Sequence, residues 1–257
     1  IKNNILNNLG NFVELKKSGK IWAIGSIHSN LKSFRSIKKF ILKNFNSDDK
    51  LIFLGNVIGL GDNPKETLTS VIELRFNLMA KFKLKPETIV FLRGAQEEMF
   101  SKLLQLQLAP NPTEIVEWMF DHGVNKTINS YGFSENEVKN IAASGTINIT
   151  KWTSNLNKSL QMNPGHAQYF LNLKHAAYSY SKKILFVNRG VDITRPLSAQ
   201  NDCFWWGFQN FSKIQEPYKT FSRIVRGYES EHLNNSEILN NNVVCTLFKQ
   251  PLSNKNI

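Results

Sequence analysis

A short apolar run closed by a glycine occurs three times in the first hundred residues, and this pattern limits the choice of fold more than any other feature. The runs and their glycines are Lys20–Ile24 with Gly25, Leu51–Leu54 with Gly55, and Thr88–Leu92 with Gly94. Helical stretches follow the first two runs, over Leu31–Asn44 and from Pro64 to about Lys83. Strand, glycine turn and helix in alternation predict an α/β fold with a sheet whose loops gather at one edge.

The middle of the chain is predicted to be helical. Asn111–Glu114 and Ser134–Glu137 have the residue order of helix starts, because glutamate follows three positions after a capping residue. Pro164–Gly165 breaks the chain before a further helical stretch. Strands are expected again over Lys174–Tyr180, Lys183–Val187, Arg223–Arg226 and Val243–Phe248.

The length of 257 residues fits one large domain or two small ones. The sequence has no evident internal repeat and no linker-like segment, which favours one domain. We expect an N-terminal extension over residues 1–19, a single domain over residues 20–250 with a helical insertion around residues 98–172, and a C-terminal tail over residues 251–257.

Composition narrows the class of protein. Hydrophobic residues make up 41% of the chain, enough for a sizeable core. The 2 cysteines, Cys203 and Cys245, form neither a disulfide framework nor a zinc pattern, so buried thiols in a reducing compartment are expected. No apolar run approaches the length of a membrane helix or a signal peptide. These features predict a soluble, cytoplasmic protein.

Six short segments at predicted strand ends and in the helical middle resemble, in order, the motifs of one enzyme family. They are Ala23–Ser29 (AIGSIHS), Leu54–Gly61 (LGNVIGLG), Phe91–Glu97 (FLRGAQE), Trp118–Tyr131 (WMFDHGVNKTINSY), Leu185–Gly190 (LFVNRG) and Arg226–Glu229 (RGYE). The family is the calcineurin-like metallophosphoesterases, in particular the bacterial serine/threonine protein phosphatase and diadenosine tetraphosphatase-like branch. The resemblance covers residues from about 20 to 230.

The resemblance implies an α/β fold of two mixed β-sheets packed face to face and flanked by helices, with the site on loops at the strand ends. In the family these loops hold two divalent metals, bridged by an aspartate, which clamp the phosphoryl group and activate a hydroxide. The metal-ligand positions carry over to Ser26, His28, Asn56, Ala95, Asn188 and Tyr228. Only His28 keeps the residue type of the family.

Other functional positions of the family are also substituted here. Gly59 and Leu60 stand where the family has aspartate and the phosphate-binding arginine, and Gln96 stands at the position of the general acid. Both carboxylate ligands are lost, and a neutral amide does not bridge two metals as a carboxylate does. We therefore expect no cofactor and no catalytic residues, and interpret the chain as an inactive pseudophosphatase that binds a protein partner or a phosphorylated ligand. If the site were functional after all, two divalent metals (Mn, Fe or Zn) would be expected.

Three arginines, Arg93, Arg189 and Arg226, lie beside former catalytic positions and are candidates for an anion pocket. Guanidinium groups bind phosphate without a metal, so they could replace the lost cations. The ordinary alternative is that these side chains point outward or pair with Glu97, Asp192 or Glu229.

Two alternatives from other functional classes stay open. One is an active phosphoesterase with a rebuilt site, acting on phosphoproteins or dinucleoside polyphosphates, for which Asp62 and Glu97 would be candidate ligands; both residues more commonly cap helices or pair with arginine. The other is a basic scaffold or RNA-associated subunit. The net charge is +12, and ten basic against three acidic residues lie in the first fifty. No nucleic-acid motif accompanies this charge, and no membrane association is expected.

Overall fold

The structure is a computed structural model that describes residues 10–207, 211, 214–227 and 243–246. The strands in this part of the chain are β1 (Phe12–Leu15), β2 (Ile21–Ile24), β3 (Lys50–Phe53), β4 (Ile89–Phe91), β5 (Ala176–Ser179), β6 (Ile184–Val187), β7 (Arg223–Arg226) and β8 (Val244–Thr246). The α-helices are α1 (Leu31–Asn44), α2 (Pro64–Phe82), α3 (Ala95–Leu103), α4 (Pro112–Asp121), α5 (Val124–Ser130), α6 (Glu135–Ala142), α7 (Thr146–Gln161), α8 (His166–Leu171) and α9 (Cys203–Trp206).

The strands form two sheets. The smaller has the order β2-β3-β4 and is parallel throughout, with Ile24 opposite Phe53 and Phe53 opposite Phe91. The larger has the order β1-β5-β6-β7-β8 and is mixed, because β5 and β6 are antiparallel while the other neighbours are parallel.

The two sheets pack face to face. Alternate residues of a strand point to opposite faces, so Ile52 and Leu54 at β3 face the larger sheet while Leu51 and Phe53 face the helices. The layer between the sheets is completed by apolar residues from both of them: Leu15, Val90, Leu92, Ala177, Phe186 and Val225. The predicted α/β architecture of two sheets flanked by helices is confirmed, with the difference that the smaller sheet is parallel, not mixed.

Between β4 and β5 the chain forms helices and their connecting loops, and this segment includes the helical insertion expected around residues 98–172. Its helices share one core with α1, α2 and the outer face of the smaller sheet, through residues such as Val116 on α4 and Leu156 on α7. The insertion is therefore part of the domain core and not an appendage. None of the helices in the described ranges is long and apolar enough to cross a membrane.

The expected N-terminal extension over residues 1–19 requires a correction. Residues Phe12–Leu15 form β1, which pairs in parallel with β5 at the edge of the larger sheet, and Leu15 is buried between the sheets. The sequence signal was weak because the strand is only 4 residues long and lies in a stretch rich in asparagine and lysine. The domain therefore starts before residue 20. The predicted tail over residues 251–257 lies outside the described residues.

Candidate functional site

The loops that follow β2, β3, β4, β6 and β7 meet at one edge of the molecule. Parallel strands place their carboxyl ends at the same edge, so these loops contact one another directly. The backbone N–H groups of Ile27 and His28 donate to the carbonyl of Asn56 over 3.0 and 2.8 Å. The N–H of Gly227 donates to the carbonyl of Asn188 over 2.9 Å. The structure thus brings together the loops that carry the predicted site residues, apart from Tyr228, which lies outside the described residues.

Asn56, which the sequence resemblance predicts to stand at the position of the bridging carboxylate, is the centre of this loop cluster. Its side-chain oxygen Oδ1 accepts a hydrogen bond from the backbone N–H of Gln96 over 3.1 Å. Its Nδ2 donates to Oγ of Ser26 over 3.4 Å. Both ends of the amide are therefore engaged by neighbouring loops. An N–H donor, not an acceptor oxygen, faces the position where the family has its first aspartate.

Asn188, which the sequence predicts to stand where the family has a metal-binding histidine, is also engaged by the backbone. Its Nδ2 donates to the carbonyl oxygen of Leu54 over 2.5 Å, which ties the loop after β6 to the loop after β3. The side chain is buried. Among the described residues, no donor reaches its Oδ1.

Close backbone approach explains two of the glycines. A Cβ on Gly55 would lie 2.8 Å from Nδ2 of Asn188 and 2.7 Å from the backbone nitrogen of Gly94, and the φ of Gly55 is +86°. A Cβ on Gly94 would overlap the side chain and backbone of Asn56. The loops at this edge are thus packed against one another, and a side chain at either glycine would separate them.

Left-handed backbone conformations at residues other than glycine also concentrate in these loops. They occur at His28, Ser29, Asn56 and Leu60, with φ between 47° and 59°. Each such residue costs on the order of 1 kcal/mol and persists only where the surroundings enforce it. The loop shapes are therefore specific and are maintained against strain.

Glu97 holds the loops together from inside. Its carboxylate is fully buried and accepts backbone N–H groups of Asn56 (2.8 Å), Val57 (2.8 Å) and Gly94 (3.0 Å). The hydroxyl of Tyr169 on α8 donates to the same carboxylate over 3.2 Å. Burial raises the pKa of Glu97, and the hydrogen bonds from backbone amides only partly oppose this shift.

Glu97 thereby caps the start of α3, which is the ordinary interpretation of this residue, and its oxygens are not available to a metal. The signal in the sequence was the spacing of Gly94 and Glu97, which is that of a capping box. Nothing in the sequence indicated its second partner, Tyr169. Asp62, the other acidic candidate, is exposed and pairs with Lys126 over 3.0 Å.

Gln96 and Leu60 are the residues predicted to stand at the positions of the general acid and the phosphate-binding arginine. The Nε2 group of Gln96 donates to the carbonyl of His122 over 2.8 Å, and Gly59 packs directly against the Gln96 side chain. Leu60 packs on Gly123 and is 38% exposed. An amide committed to the backbone and an aliphatic side chain provide neither a proton donor nor a charge for phosphate.

The residues present do not fit a pair of divalent metals. Ser26, Asn56 and Asn188 are neutral, and each is hydrogen-bonded to another loop. Ala95 has no donor atom. Within the described ranges, no group of three or more His, Cys, Asp or Glu side chains is arranged to hold a metal ion. His28 is buried in this cluster, and positions 26 and 56 beside it hold serine and asparagine, not carboxylates.

The three candidate anion-binding arginines lie near Trp205, Gly207 and Phe211. Arg93 forms an ion pair with Glu98, and its guanidinium lies 5.8 Å from the ring centre of Trp205. Arg226 is buried, donates to the carbonyl of Arg189 over 3.2 Å and lies 4.3 Å from the ring centre of Phe211. The side chain of Arg189 lies against Gly207. Because Glu98 balances its charge, Arg93 adds no net charge to a pocket.

Two of the carboxylates considered as partners for these arginines bind elsewhere. Asp192 pairs with Arg195 over 3.0 Å, and Glu97 accepts backbone N–H groups. Glu229 lies outside the described residues. The anion pocket therefore stays a prediction for Arg189 and Arg226.

Comparison with known proteins gives structural similarity only. No protein-family model and no curated protein matches the sequence significantly. A "putative diadenosine tetraphosphatase" structure is 12% identical and has a TM-score of 0.48, over 93% of this chain and 87% of its own. A serine/threonine phosphatase from Saccharomyces cerevisiae, described as similar to human phosphatase PP5, is 15% identical with a TM-score of 0.45, over 86% of this chain and 65% of its own.

A metallophosphoesterase from Sphaerobacter thermophilus is 16% identical with a TM-score of 0.39, over 81% of this chain and 59% of its own. The chain thus spans less than two thirds of the latter two structures. It is similar in fold to structures described as phosphatases and as a metallophosphoesterase, over most of its own length.

Proposed function

We propose that this chain is a catalytically inactive protein of the metallophosphoesterase type, a pseudophosphatase that acts by binding a protein partner or a phosphorylated ligand. The observation that carries the proposal is the engagement of Asn56. At the position where the family bridges two metals, this side chain is neutral and bonds to the loops on both sides of it.

The chemistry of the donor set supports this proposal. Divalent cations exchange their water only for strong ligands, and two adjacent cations need anionic oxygens to offset their mutual repulsion. Ser26 and Asn56 supply no negative charge, and Ala95 supplies no donor. The fully buried carboxylate of Glu97 in the loop cluster is already bonded to three backbone amides and a tyrosine.

Retention of the loop geometry supports a binding role. Backbone strain at four residues and a fully buried carboxylate are both costly, yet both maintain the same cluster of loops. A binding function explains why the loop geometry is maintained although the metal-binding side chains are absent.

The class of ligand depends on where positive charge is available. Since Arg93 pairs with Glu98, Arg189 and Arg226 are the other two candidates to bind a phosphorylated ligand, and binding at Arg226 requires the ligand to reach a buried guanidinium. A protein partner would instead contact the rim of the site, where Leu60 and Trp118 are both exposed.

A phosphatase assay with added Mn²⁺ tests the inactivity. We expect p-nitrophenyl phosphate, phosphopeptides and diadenosine polyphosphates to be hydrolysed no faster by the wild type than by an Asn56→Ala variant. Turnover that is lost in Asn56→Ala or His28→Ala would show a rebuilt catalytic centre and overturn the proposal. The positive control is a catalytically active member of the family, assayed under the same conditions.

A further inference from the structure

Helix α1 presents a continuous basic surface. Four residues at helical spacing lie on its exposed side: Lys32, Arg35, Lys39 and Lys43. Positions i, i+3, i+7 and i+11 fall on one face of an α-helix, because each residue turns the helix by about 100°. The opposite face is fixed in the core through Phe34 and Ile41. The basic face is therefore held rigidly and points outward.

The charge of this face is not balanced within the fold. Helix α1 contains no acidic residue, and none of its four exposed basic side chains forms an ion pair with a carboxylate in the described part of the chain. Lys38, on the flank of the helix, is by contrast paired with Glu73 over 2.7 Å. Like charges one turn apart repel, and basic residues in the first turn oppose the helix dipole. An anionic ligand would relieve both.

An exposed aromatic ring adjoins the basic face. Phe40 is 59% exposed although it packs edge-to-face on Trp22, with the ring centres 5.9 Å apart. The indole N–H of Trp22 donates to the buried carboxylate of Asp49 over 2.8 Å, which fixes its orientation. The ammonium group of Lys20 lies 5.9 Å from the centre of the Trp22 ring. Phe40 is thus presented to solvent on a rigid support beside cationic side chains.

We propose that this surface, the basic face of α1 together with Phe40, binds single-stranded nucleic acid. Sites of this kind combine a basic track for phosphates with aromatic rings on which bases stack. Lys32, Lys39 and Lys43 supply the track, and Phe40 supplies the ring. The surface is separate from the loop cluster around Asn56, so the inference does not depend on the proposed pseudophosphatase function.

Two other anionic partners fit the observations less well. A membrane-surface helix inserts its apolar face into lipid, but the apolar face of α1 is buried in the protein core. The core of a protein–protein interface is depleted in lysine, whereas three of the four exposed cations here are lysines. Nucleic acid accounts for both the lysines and the exposed ring.

Fluorescence anisotropy with a labelled 20-nucleotide oligo(U) over a range of salt concentrations tests the inference. The Lys32→Gln, Lys39→Gln, Lys43→Gln triple variant should bind more weakly and lower the slope of log K against log salt by about 2. Phe40→Ala should weaken binding at least roughly fivefold while leaving that slope unchanged, because it removes stacking and no charge. Glutamine has about the helix propensity of lysine, and alanine has a higher one than phenylalanine, so both variants should stay folded by circular dichroism.

The matched control removes the same charge elsewhere: Lys139→Gln, Lys151→Gln and Lys158→Gln, three exposed lysines of α6 and α7. Its affinity for oligo(U) should equal that of the wild type. Equal losses in the two triple variants, or no effect of Phe40→Ala, would reduce the binding to non-specific charge and overturn the proposal. Binding to phosphatidylserine vesicles or to a polyglutamate peptide, without binding to oligo(U), would also overturn the proposal. A matching oligo(dT) distinguishes DNA from RNA as the ligand.

Discussion

The hydroxyl of Tyr169 donates a hydrogen bond to Oε1 of Glu97 over 3.2 Å, and both side chains are buried. This contact joins α8, in the helical layer, to the carboxylate that holds the loops after β3 and β4. Burial, together with the neighbouring carboxylate of Glu97, raises the pKa of Tyr169 well above its ordinary value, so the hydroxyl remains a donor at all physiological pH values. The candidate site is thus fixed by a protein carboxylate at its base.

Replacing Glu97 should destabilise the protein more than replacing an exposed glutamate. Glu97→Ala leaves the amides of Asn56, Val57 and Gly94 without their acceptor. We expect a loss of about 3 kcal/mol or more in the free energy of unfolding, since each buried unsatisfied donor costs roughly 1–3 kcal/mol. Urea denaturation measures this, with Glu117→Ala on the exposed surface of α4 as the control. Equal midpoints for the two variants would contradict the role of Glu97.

Removing only the hydroxyl of Tyr169 should have a smaller effect. Tyr169→Phe keeps the ring against Phe91 but removes one hydrogen bond to the Glu97 carboxylate. The expected loss is about 1–2 kcal/mol by the same denaturation measurement. Combining it with Glu97→Ala should add little further loss, because the two variants remove a shared contact. Full additivity would show that the contact contributes nothing.

Stability should fall as pH decreases from about 6.5 to about 4 because of His166. This side chain is buried between Thr69 and Tyr131, and burial, assisted by Lys65, lowers its pKa to about 4. Between the two pKa values the unfolded chain binds a proton that the folded protein excludes, so acid favours unfolding. The contribution reaches about 3 kcal/mol once both states are protonated.

The His166→Gln variant isolates this contribution, because glutamine hydrogen-bonds without titrating in this range. We expect the difference in unfolding free energy between wild type and variant to shrink steadily from pH 7 to pH 4. A constant difference over that range would show that His166 titrates normally.

The packing of the site loops predicts a strong effect at Gly94. A methyl group there would overlap Asn56, so Gly94→Ala should force the loops after β3 and β4 apart and cost about 1–3 kcal/mol. Gly10→Ala is the control, because no atom of the described residues lies within 4 Å of the added carbon. Thermal unfolding compares the two, and an unchanged melting temperature for Gly94→Ala would contradict the close approach.

The sequence predicted best those helices and strands whose ends are marked by local residue patterns, such as a capping residue. Helix α1 has the predicted bounds, Leu31–Asn44, because Asn30 caps its first turn and its apolar residues recur at helical spacing. Helix α7 lies within the middle segment that was predicted to be helical, but its bounds were not predicted, since its 16 residues include several threonines, asparagines and serines with low helix propensity. Its helical conformation depends on the burial of Trp152 and Leu156 in the core.

For the candidate site, the order of motifs predicted which loops converge, but not what their side chains bind. The hydrogen bond of Asn56 to Ser26 spans 30 residues, and that of Asn188 to Leu54 spans 134. Such pairings depend on how the two sheets pack, which no local pattern encodes. The same holds for Phe40 and Trp22, whose contact places an exposed aromatic ring beside the basic face of α1.

The proposed pseudophosphatase function depends most on neutral side chains standing where the family has its metal ligands. A double variant tests this directly: Ser26→Asp with Asn56→Asp restores the two family carboxylates. Asn56→Asp keeps the side-chain volume, whereas Ser26→Asp adds two heavy atoms. The matched control is Asn46→Asp with Asn77→Asp, which adds the same charge at exposed positions.

Elemental analysis after incubation with Mn²⁺ and gel filtration is the most direct measurement. We predict well below one Mn per chain in the wild type and in the control, and a higher content in the Ser26→Asp, Asn56→Asp variant. One or more Mn per wild-type chain, lost on changing His28 to Ala, would contradict the account.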